Sequence, residues 1–317
     1  MTLRHLVPKD TPFMNRHPAF WPFLAALLAI AVLTAMDGFI KTASLAVGAY
    51  SALLVRGAIA FSLTGSIWAT GNPRWPESSV LKVHLYRGIV GGGCSLTFFS
   101  ALVHLPLAEA IALSFISPLM ALALAALVLK EQIGRKAIIA AVMGMAGVLV
   151  IVGGRIGQQQ LDDDAQLGIV LVLISAVLYA WNIILQRQQA QLAGPLEVTT
   201  FQSALMALTL LPAAPWFLTL PQTGAIWGAI AVSALLGVIG LLLFAWAYAR
   251  AEAQVLVPVE YSGFAWAALF GFVMFGEEVQ LATLAGACLI VAGCWIGAPG
   301  KHSEQVATGA PGLEEAV

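Results

Sequence analysis

The stretch Ala31-Val32-Leu33-Thr34-Ala35 recurs as Ala176-Val177-Leu178-Tyr179-Ala180, 145 positions later, and each copy lies inside a long apolar run. The second copy lies five runs after the first, an odd step, so it is expected to cross a membrane in the opposite direction to the first. Two halves of opposite topology are typical of secondary transporters. The repeat therefore predicts a carrier of small molecules.

The composition indicates an integral membrane protein. Of 317 residues, 60% are hydrophobic and 10% are charged, and the mean hydropathy is +0.90. Because an ordinary soluble domain has about a quarter charged residues, lipid must cover part of this surface. The formal net charge of −1 provides no basic face for a nucleic acid. We expect the lipid bilayer as a partner, and no nucleic acid.

The apolar runs predict an all-α integral membrane fold of ten transmembrane helices, arranged as two inverted five-helix repeats. A helix needs about 20 apolar residues to cross the hydrocarbon core. Runs bounded by charge, Pro or Gly give these spans: roughly 20–40, 48–69, 86–104, 107–129, 136–153, 167–187, 197–218, 226–248, 252–276 and 280–298.

An even number of helices puts both termini on one side, and the basic residues indicate which side. With the N-terminus inside, twelve of the fifteen Lys and Arg residues, Arg87 among them, fall at cytoplasmic helix ends. Lys41 and Arg155 fall outside, and Arg56 lies within a helix. We expect a multi-pass protein of the cell inner (plasma) membrane with both termini cytoplasmic.

The same reading divides the chain into five segments. The expected segments are a cytoplasmic N-terminal segment at 1–19, a first five-helix repeat at 20–153, an extracytoplasmic linker at 154–166, a second repeat at 167–298 and a disordered cytoplasmic tail at 299–317.

Matched polar stripes on helices 1 and 6 are the most specific signal for a site. Thr34, Asp37 and Lys41 are spaced three and four apart, so they share one helix face. At an offset of 145 they correspond to Tyr179, Asn182 and Gln186. Polar groups in lipid are costly unless they face protein or water. The stripes either line a cavity or hydrogen-bond neighbouring helices, and Asp37 with Lys41 is also a candidate ion pair.

Four ionisable side chains lie within apolar runs. Asp37, Arg56 and Glu109 lie toward the outer half and form a candidate cluster that neutralises itself. Glu260 is nearest the midplane and has no basic residue beside it in sequence. It either stays protonated or meets a cationic substrate or a proton. Structural and functional roles remain open for Arg56 and Glu260, and proton coupling through Glu260 is a hypothesis.

Two internal prolines, Pro118 and Pro258, are candidate kinks of helices 4 and 9. Internal proline removes a backbone hydrogen bond, and interrupted helices in the two halves point toward a binding site; a passive kink is the alternative. Small residues such as Gly91, Gly144 and Gly293 predict close helix contacts.

Several chemistries lack their sequence signatures. The chain has no GxxxxGK[ST] motif for ATP, no HExxH and no GxSxG. The three cysteines, Cys94, Cys288 and Cys294, lie in apolar runs without ligand spacing. We therefore expect no enzyme, no cofactor and no metal site.

The chain resembles the drug/metabolite transporter superfamily, specifically its ten-helix EamA-type branch. The resemblance is carried by the residues from Leu105 to Leu119 (LPLAEAIALSFISPL), by 129–134 (LKEQIG) and by Ala146-Gly147, with Glu277-Glu278 and Ala292-Gly293 repeating the ending. It implies 5+5 inverted repeats, cytoplasmic termini and a central cavity open alternately to each side. It also implies substrates such as amino acids, nucleosides, vitamins, S-adenosylmethionine-like metabolites or toxic cations.

The sequence as a whole favours a secondary transporter that moves a small polar or aromatic metabolite by alternating access, as a monomer or homodimer. Helices 1, 4, 6 and 9 would line its cavity. An integral-membrane scaffold, a sensory subunit or a membrane enzyme without transport activity is the alternative. The candidate substrate-binding residues are Asp37, Arg56, Glu109, Tyr179, Asn182 and Glu260.

Overall fold

A computed structural model describes residues 20–71, 75–117, 119–120, 135–157, 162–248, 250 and 259–297. Within these ranges the chain forms ten helices of eight or more residues and no strand. The helices are α1 (Phe20–Val47), α2 (Ala49–Thr70), α3 (Ser78–His104), α4 (Leu107–Ser114), α5 (Arg135–Gly157), α6 (Asp163–Leu192), α7 (Pro195–Leu210), α8 (Gly224–Tyr248), α9 (Gly263–Phe275) and α10 (Leu281–Gly297).

Many of these helices are long and apolar enough to cross a bilayer. Five described stretches qualify by length and composition, and shorter apolar helices accompany them at Val142–Gly154, Gly263–Phe275 and Leu281–Gly293. Large apolar side chains remain exposed along the helices; for example, Val273 is 68% and Leu28 is 53% exposed. Since exposed apolar rows of this kind require lipid as their solvent, the protein is an all-helical integral membrane protein.

Specific residues set the short connections. Gly48 is the single residue between α1 and α2 and has φ 80°. Gly276 follows α9 in the left-handed conformation, with φ 67°. Both angles favour glycine. Asp162 caps α6, accepting a hydrogen bond from the Ala165 N–H at 2.8 Å. Pro195 occupies the first turn of α7, where its missing N–H has no helical partner to lose.

The helix pairs reveal the relation between the two repeats. Helix α1 packs against α8, and its repeat equivalent α6 packs against α3. Helices α2 and α7, α4 and α9, and α5 and α10 pack as equivalent pairs. If α1 is exchanged with α6, α2 with α7, and so on through α5 with α10, the same helices remain packed together. This is expected for two repeats related by a two-fold axis.

One end of the bundle, which we call the Gly48 end, shows that the repeats are inverted. Lys41, near the C-terminus of α1, donates from Nζ to the Leu105 carbonyl oxygen at 2.8 Å, just after α3. His104 Nδ1 lies 3.5 Å from the Asp164 carboxylate in the first turn of α6. Helix α1 thus ends where α6 begins, so the two helices cross in opposite directions.

The opposite end, which we call the Gly194 end, contains the turn from α6 to α7. Glu197 in the first turn of α7 lies 3.2 Å from His84 in α3, measured from Oε1 to Nε2. The Trp68 ring near the end of α2 lies 5.6 Å from the ring of Phe201. Helices α2, α3, α6 and α7 therefore meet here through aromatic and polar contacts.

Helices α5 and α10 approach most closely at a pair of glycines. A Cβ at Gly147 would lie 2.6 Å from the Gly286 carbonyl oxygen, and a Cβ at Gly286 would lie 2.6 Å from the Gly147 carbonyl oxygen. The contact is reciprocal and leaves no room for a larger side chain. Gly91 makes a similar close approach to Gln202 in α7. Small residues thus bring helices of the two repeats together at Gly147 and Gly286. Gly144, one of the glycines named from the sequence, instead faces Leu119 of its own repeat.

Candidate functional site

At the Gly48 end, Lys41 and Glu277 form an ion pair between the two repeats, which we call the latch. Lys41 is 4% exposed; its Nζ donates to Glu277 Oε1 and to the Leu105 carbonyl, and lies 4.9 Å from the centre of the Phe275 ring. Glu277 Oε2 accepts the Leu107 N–H at 2.7 Å, so it also caps the N-terminus of α4. The latch ties α1 and the α3–α4 turn to the α9–α10 segment.

The latch corrects one interpretation of the first polar stripe. Asp37 with Lys41 was a candidate ion pair on one helix face, yet Lys41 pairs with Glu277, 236 positions along the chain. Asp37 lies in electrostatic range of Arg56. Local spacing identified the two charged residues but assigned Lys41 to the wrong partner.

Deeper in the bundle, Arg56 of α2 faces Asp37 of α1. The guanidinium also has its Nη2 2.7 Å from Met36 Sδ and its Cζ 5.8 Å from the centre of the Phe99 ring. A Cβ at Gly237 of α8 would lie 2.9 Å from Nη2, so a larger residue there would require the Arg56 side chain to move. Nε of Arg56 is buried without a hydrogen-bond partner among the described residues. Asp37 and Arg56, two of the three members of the predicted cluster with Glu109, thus lie in electrostatic range of each other.

Two more predicted residues lie inside the protein. Glu109 is 2% exposed in the first turn of α4. Glu260, just before α9, is partly buried and lies in electrostatic range of Tyr179 on α6. The structure thus brings together Glu260 and Tyr179, two residues of the second repeat that are 81 positions apart (260 − 179).

Tyr179 is exposed although protein surrounds it. The residue is 44% exposed, and groups in electrostatic range of its hydroxyl are Glu260, and Cys94 and Arg87 of α3. A side chain that faces charged groups of other helices points into the bundle. Tyr179 thus combines an exposed surface with charged neighbours from other elements of the bundle.

A second buried arginine, Arg87, lies below Tyr179 toward the Gly194 end. It is 8% exposed. Its Nε donates to Asn182 Oδ1 at 3.3 Å, and its Nη1 donates to Gln189 Oε1, both on α6. Both acceptors are neutral amide oxygens, so they orient the guanidinium without compensating its charge.

A chain of hydrogen bonds fixes Gln189 in turn. Its Nε2 donates to His84 Nδ1, and His84 Nε2 lies 3.2 Å from Glu197 Oε1. Because Nδ1 accepts, the proton of the neutral ring lies on Nε2 and is donated to Glu197. The ring stacks on Phe201 with 4.5 Å between centres and 12° between planes. We call Arg87, Asn182, Gln189, His84 and Glu197 together the Arg87 network.

The Arg87 network shows where the sequence reading was wrong. Arg87 was assigned to a cytoplasmic helix end because helix 3 was expected to begin near residue 86. Helix α3 begins at Ser78, so Arg87 lies more than two turns inside it. The missed signal was the spacing of His84 and Arg87, three residues apart on one helix face.

Some predictions fall outside the described residues. Pro118 and Pro258 lie there, as does the side chain of Gln186. Among the described residues no group of His, Cys, Asp or Glu is arranged to hold a metal ion.

Two apolar grooves lie apart from these polar residues. One, of about 550 Å³, contains Phe115, Tyr261 and Trp295. The other, of about 310 Å³, contains Met120, Val177 and other aliphatic side chains of α5 and α6. Apolar walls of this kind suit lipid chains rather than a polar solute.

Comparison with known proteins adds the family. A model of the EamA-like transporter family matches residues 19–153 and again residues 166–297. The pseudopaline exporter CntI of Pseudomonas aeruginosa (strain UCBPP-PA14) is 26% identical over 271 residues, which cover 86% of this chain and 93% of that protein. The riboflavin transporter of Brucella anthropi is 23% identical over 241 residues, covering 74% and 82% of the two chains.

A solved crystal structure has the same fold, with a TM-score of 0.56 at 21% identity, and the match covers 87% of this chain and 97% of the other. The family match accounts for most of the sequence in two copies. The chain belongs to the EamA-like transporter family of the drug/metabolite transporter superfamily. The family and the relatives indicate a transporter rather than an enzyme.

Proposed function

We propose that this member of the EamA-like transporter family is a secondary transporter that moves a small polar or aromatic metabolite across the cell inner (plasma) membrane by alternating access. The substrate would bind between the repeats, in the opening onto which Tyr179 is exposed. That exposure of an inward-facing polar side chain is the observation that carries the proposal.

The charges around this opening support a polar substrate. In this proposal Asp37 and Arg56, which interact with each other, would flank it toward the Gly48 end. Glu260, which interacts with Tyr179, would lie beside it, and Asn182 would lie toward the Gly194 end. Ionisable groups are costly inside a membrane unless they face one another, protein or water. We assign these residues and Glu109 to substrate binding or to the polar wall of the cavity.

Alternating access needs one end closed while the other opens, and the latch supplies a closure. Lys41 and Glu277 belong to different repeats, so their pair joins the repeats at the Gly48 end. Opening that end requires the pair to separate. The glycine contact between α5 and α10 lies away from the polar residues and provides a close-packed support about which the repeats can rock.

The relatives are consistent with metabolite transport. One is named as an exporter of pseudopaline and another as a transporter of riboflavin. From these relatives we take only the class of substrate, small polar metabolites. We do not assign pseudopaline or riboflavin to this chain. Direction follows the gradients, because the same cycle runs both ways.

The first test compares two equally exposed positions on α6. Tyr179 is 44% exposed and faces Arg87 and Glu260, whereas Val177 is 46% exposed and lines an apolar groove. Each is replaced by cysteine in a protein without its native cysteines and treated with a water-soluble, charged thiol reagent in nanodiscs. We expect Tyr179→Cys to react at least tenfold faster than Val177→Cys.

The second test measures transport itself. Thermal-shift screening of the purified protein selects metabolites that stabilise it, and their radiolabelled forms are assayed for counterflow in proteoliposomes. We expect counterflow that Tyr179→Ala reduces and Val177→Ala leaves intact. Equal, slow labelling at both positions together with no counterflow of any stabilising metabolite would instead favour a scaffold or sensory subunit.

A further inference from the structure

Arg87 is a buried cation whose described partners carry no negative charge. Asn182 and Gln189 hold it through neutral amide oxygens, and no described carboxylate lies within 4.0 Å of it, since the ion pairs of the described residues involve Lys41, His84 and His104. A buried charge is expensive unless an opposite charge accompanies it. Within the described part of the chain, that opposite charge is missing.

Arg56, the other buried arginine of the first repeat, has a different environment. It lies in electrostatic range of Asp37, and Asn182 is the repeat equivalent of Asp37 at the offset of 145. The amide that holds Arg87 thus stands at the position where the first repeat has a carboxylate. Because Asp and Asn have nearly the same shape, exchanging one for the other at position 182 tests the effect of that charge.

The remainder of the Arg87 network positions the guanidinium. Gln189 is 1% exposed and is held by His84, which is held by Glu197 and stacks on Phe201. A guanidinium has five N–H groups, and the hydrogen bonds to Asn182 and Gln189 use two of them. These two bonds fix the orientation of the group.

Arg87 also lies next to Tyr179. The tyrosine is in electrostatic range of it and is 44% exposed. The tyrosine hydroxyl is an additional donor at the same place. A solute that enters the proposed opening would therefore meet a tyrosine hydroxyl, and behind it an arginine whose hydrogen-bond partners among the described residues are neutral.

We propose that Arg87 and Tyr179 form a binding site for the carboxylate of the transported molecule, so that the substrate is a carboxylate-bearing metabolite. This inference rests on the proposed transport function. A carboxylate is a monoanion and suits an arginine for which the described residues provide no carboxylate partner, and its two oxygens can accept N–H groups of a guanidinium. A phosphate dianion would bring excess negative charge close to Glu260.

The test uses benzoate, benzamide and phenyl phosphate as probes at constant ionic strength. They share one ring and differ in a carboxylate, a neutral amide and a phosphate. Equilibrium binding to the purified full-length protein in nanodiscs is measured by calorimetry. We expect benzoate to bind at least tenfold more tightly than benzamide and more tightly than phenyl phosphate.

The decisive variant is Asn182→Asp, which places a carboxylate at the Arg87 Nε without removing the arginine. We expect it to fold, to melt no lower than the wild type, and to lose the preference for benzoate, with the ratio of the two dissociation constants falling to about one. Arg87→Gln should lose the preference too. Arg250→Gln removes an equal charge from an exposed arginine stacked on Trp246 and should keep it.

Equal binding of benzoate and benzamide by the wild type, tighter binding of phenyl phosphate, or a benzoate preference that survives Asn182→Asp would each overturn the anion site. Its failure is separable from that of transport. Counterflow of a neutral or cationic metabolite without benzoate selectivity would remove the anion site and leave transport. Selective benzoate binding, lost in Asn182→Asp, would keep the anion site even if no solute were moved.

Discussion

Removing the charge of Lys41 should open the Gly48 end. The substitution Lys41→Met keeps the length of the side chain and deletes the ion pair with Glu277, the hydrogen bond to the Leu105 carbonyl and the ring contact with Phe275. The conformation in which the Gly48 end is closed loses these interactions, whereas an open conformation has already lost them. The ratio of open to closed molecules should therefore rise.

The size of the effect follows from the latch contacts. Breaking a buried ion pair by removing one partner costs about 3–5 kcal/mol. Glu277 moderates this cost because its side chain is 18% exposed and keeps the Leu107 N–H. We therefore expect about 2–4 kcal/mol, and the low end already corresponds to a shift of about 30-fold at about 1.4 kcal/mol per tenfold change.

The assay is a distance measurement that needs no knowledge of membrane orientation. Spin labels at Leu45 and Val279, which are both exposed near the Gly48 end, report the separation of the repeats by double electron–electron resonance in nanodiscs. Lys41→Met and Glu277→Gln should each add a longer distance to the distribution. Glu278→Gln changes the exposed neighbour of Glu277 and should not. If both latch variants gave the wild-type distribution, the latch would not control this end.

Three further predictions concern packing, charge and topology. Gly147→Ala puts a Cβ 2.6 Å from the Gly286 carbonyl oxygen and should cost about 1–3 kcal/mol of stability, seen as a lower melting temperature in detergent, whereas Gly153→Ala meets open space and should not. Asp37→Asn leaves Arg56 without its carboxylate and should destabilise the protein by about 3 kcal/mol; adding Arg56→Gln should recover part of the loss. Reporter fusions to the two ends of the chain should give the same side of the membrane, and opposite sides would contradict the paired crossing of the repeats.

The sequence was sufficient to predict the fold because the bilayer restricts what a chain this apolar can do. Only helices or closed barrels satisfy the backbone in lipid, and the offset between Thr34 and Tyr179 indicated the inversion. The same reasoning was less successful where a helix begins with polar residues. The first turns of α3, from Ser78 to His84, contain Ser, Lys and His and were read as loop, which hid the interior position of Arg87.

Pairings between distant residues were only partly predictable. Asp37 and Arg56 were grouped correctly because both lay at similar depth toward one end of their helices. Lys41 and Glu277 were not, since hydropathy places a residue in depth but does not specify which neighbouring helix it faces. Glu131 and Glu277 occupy equivalent positions in the two repeats. This match predicted an acidic residue at Glu277, but it did not predict that Glu277 pairs with Lys41.

Differences between the repeats bear on how the cycle is biased. A transporter built from two identical inverted halves would have equal energies with either end closed, since exchanging the halves exchanges the two conformations. Here the equivalent of Lys41 is Gln186, and the equivalent of Glu277 is Glu131. A glutamine carries no charge, so an ion pair equivalent to the latch has no cation at that position of the second repeat. In the proposed cycle the closed Gly48 end would therefore have an ion pair that the sequence does not repeat at the equivalent positions, and substrate binding would supply energy to open it.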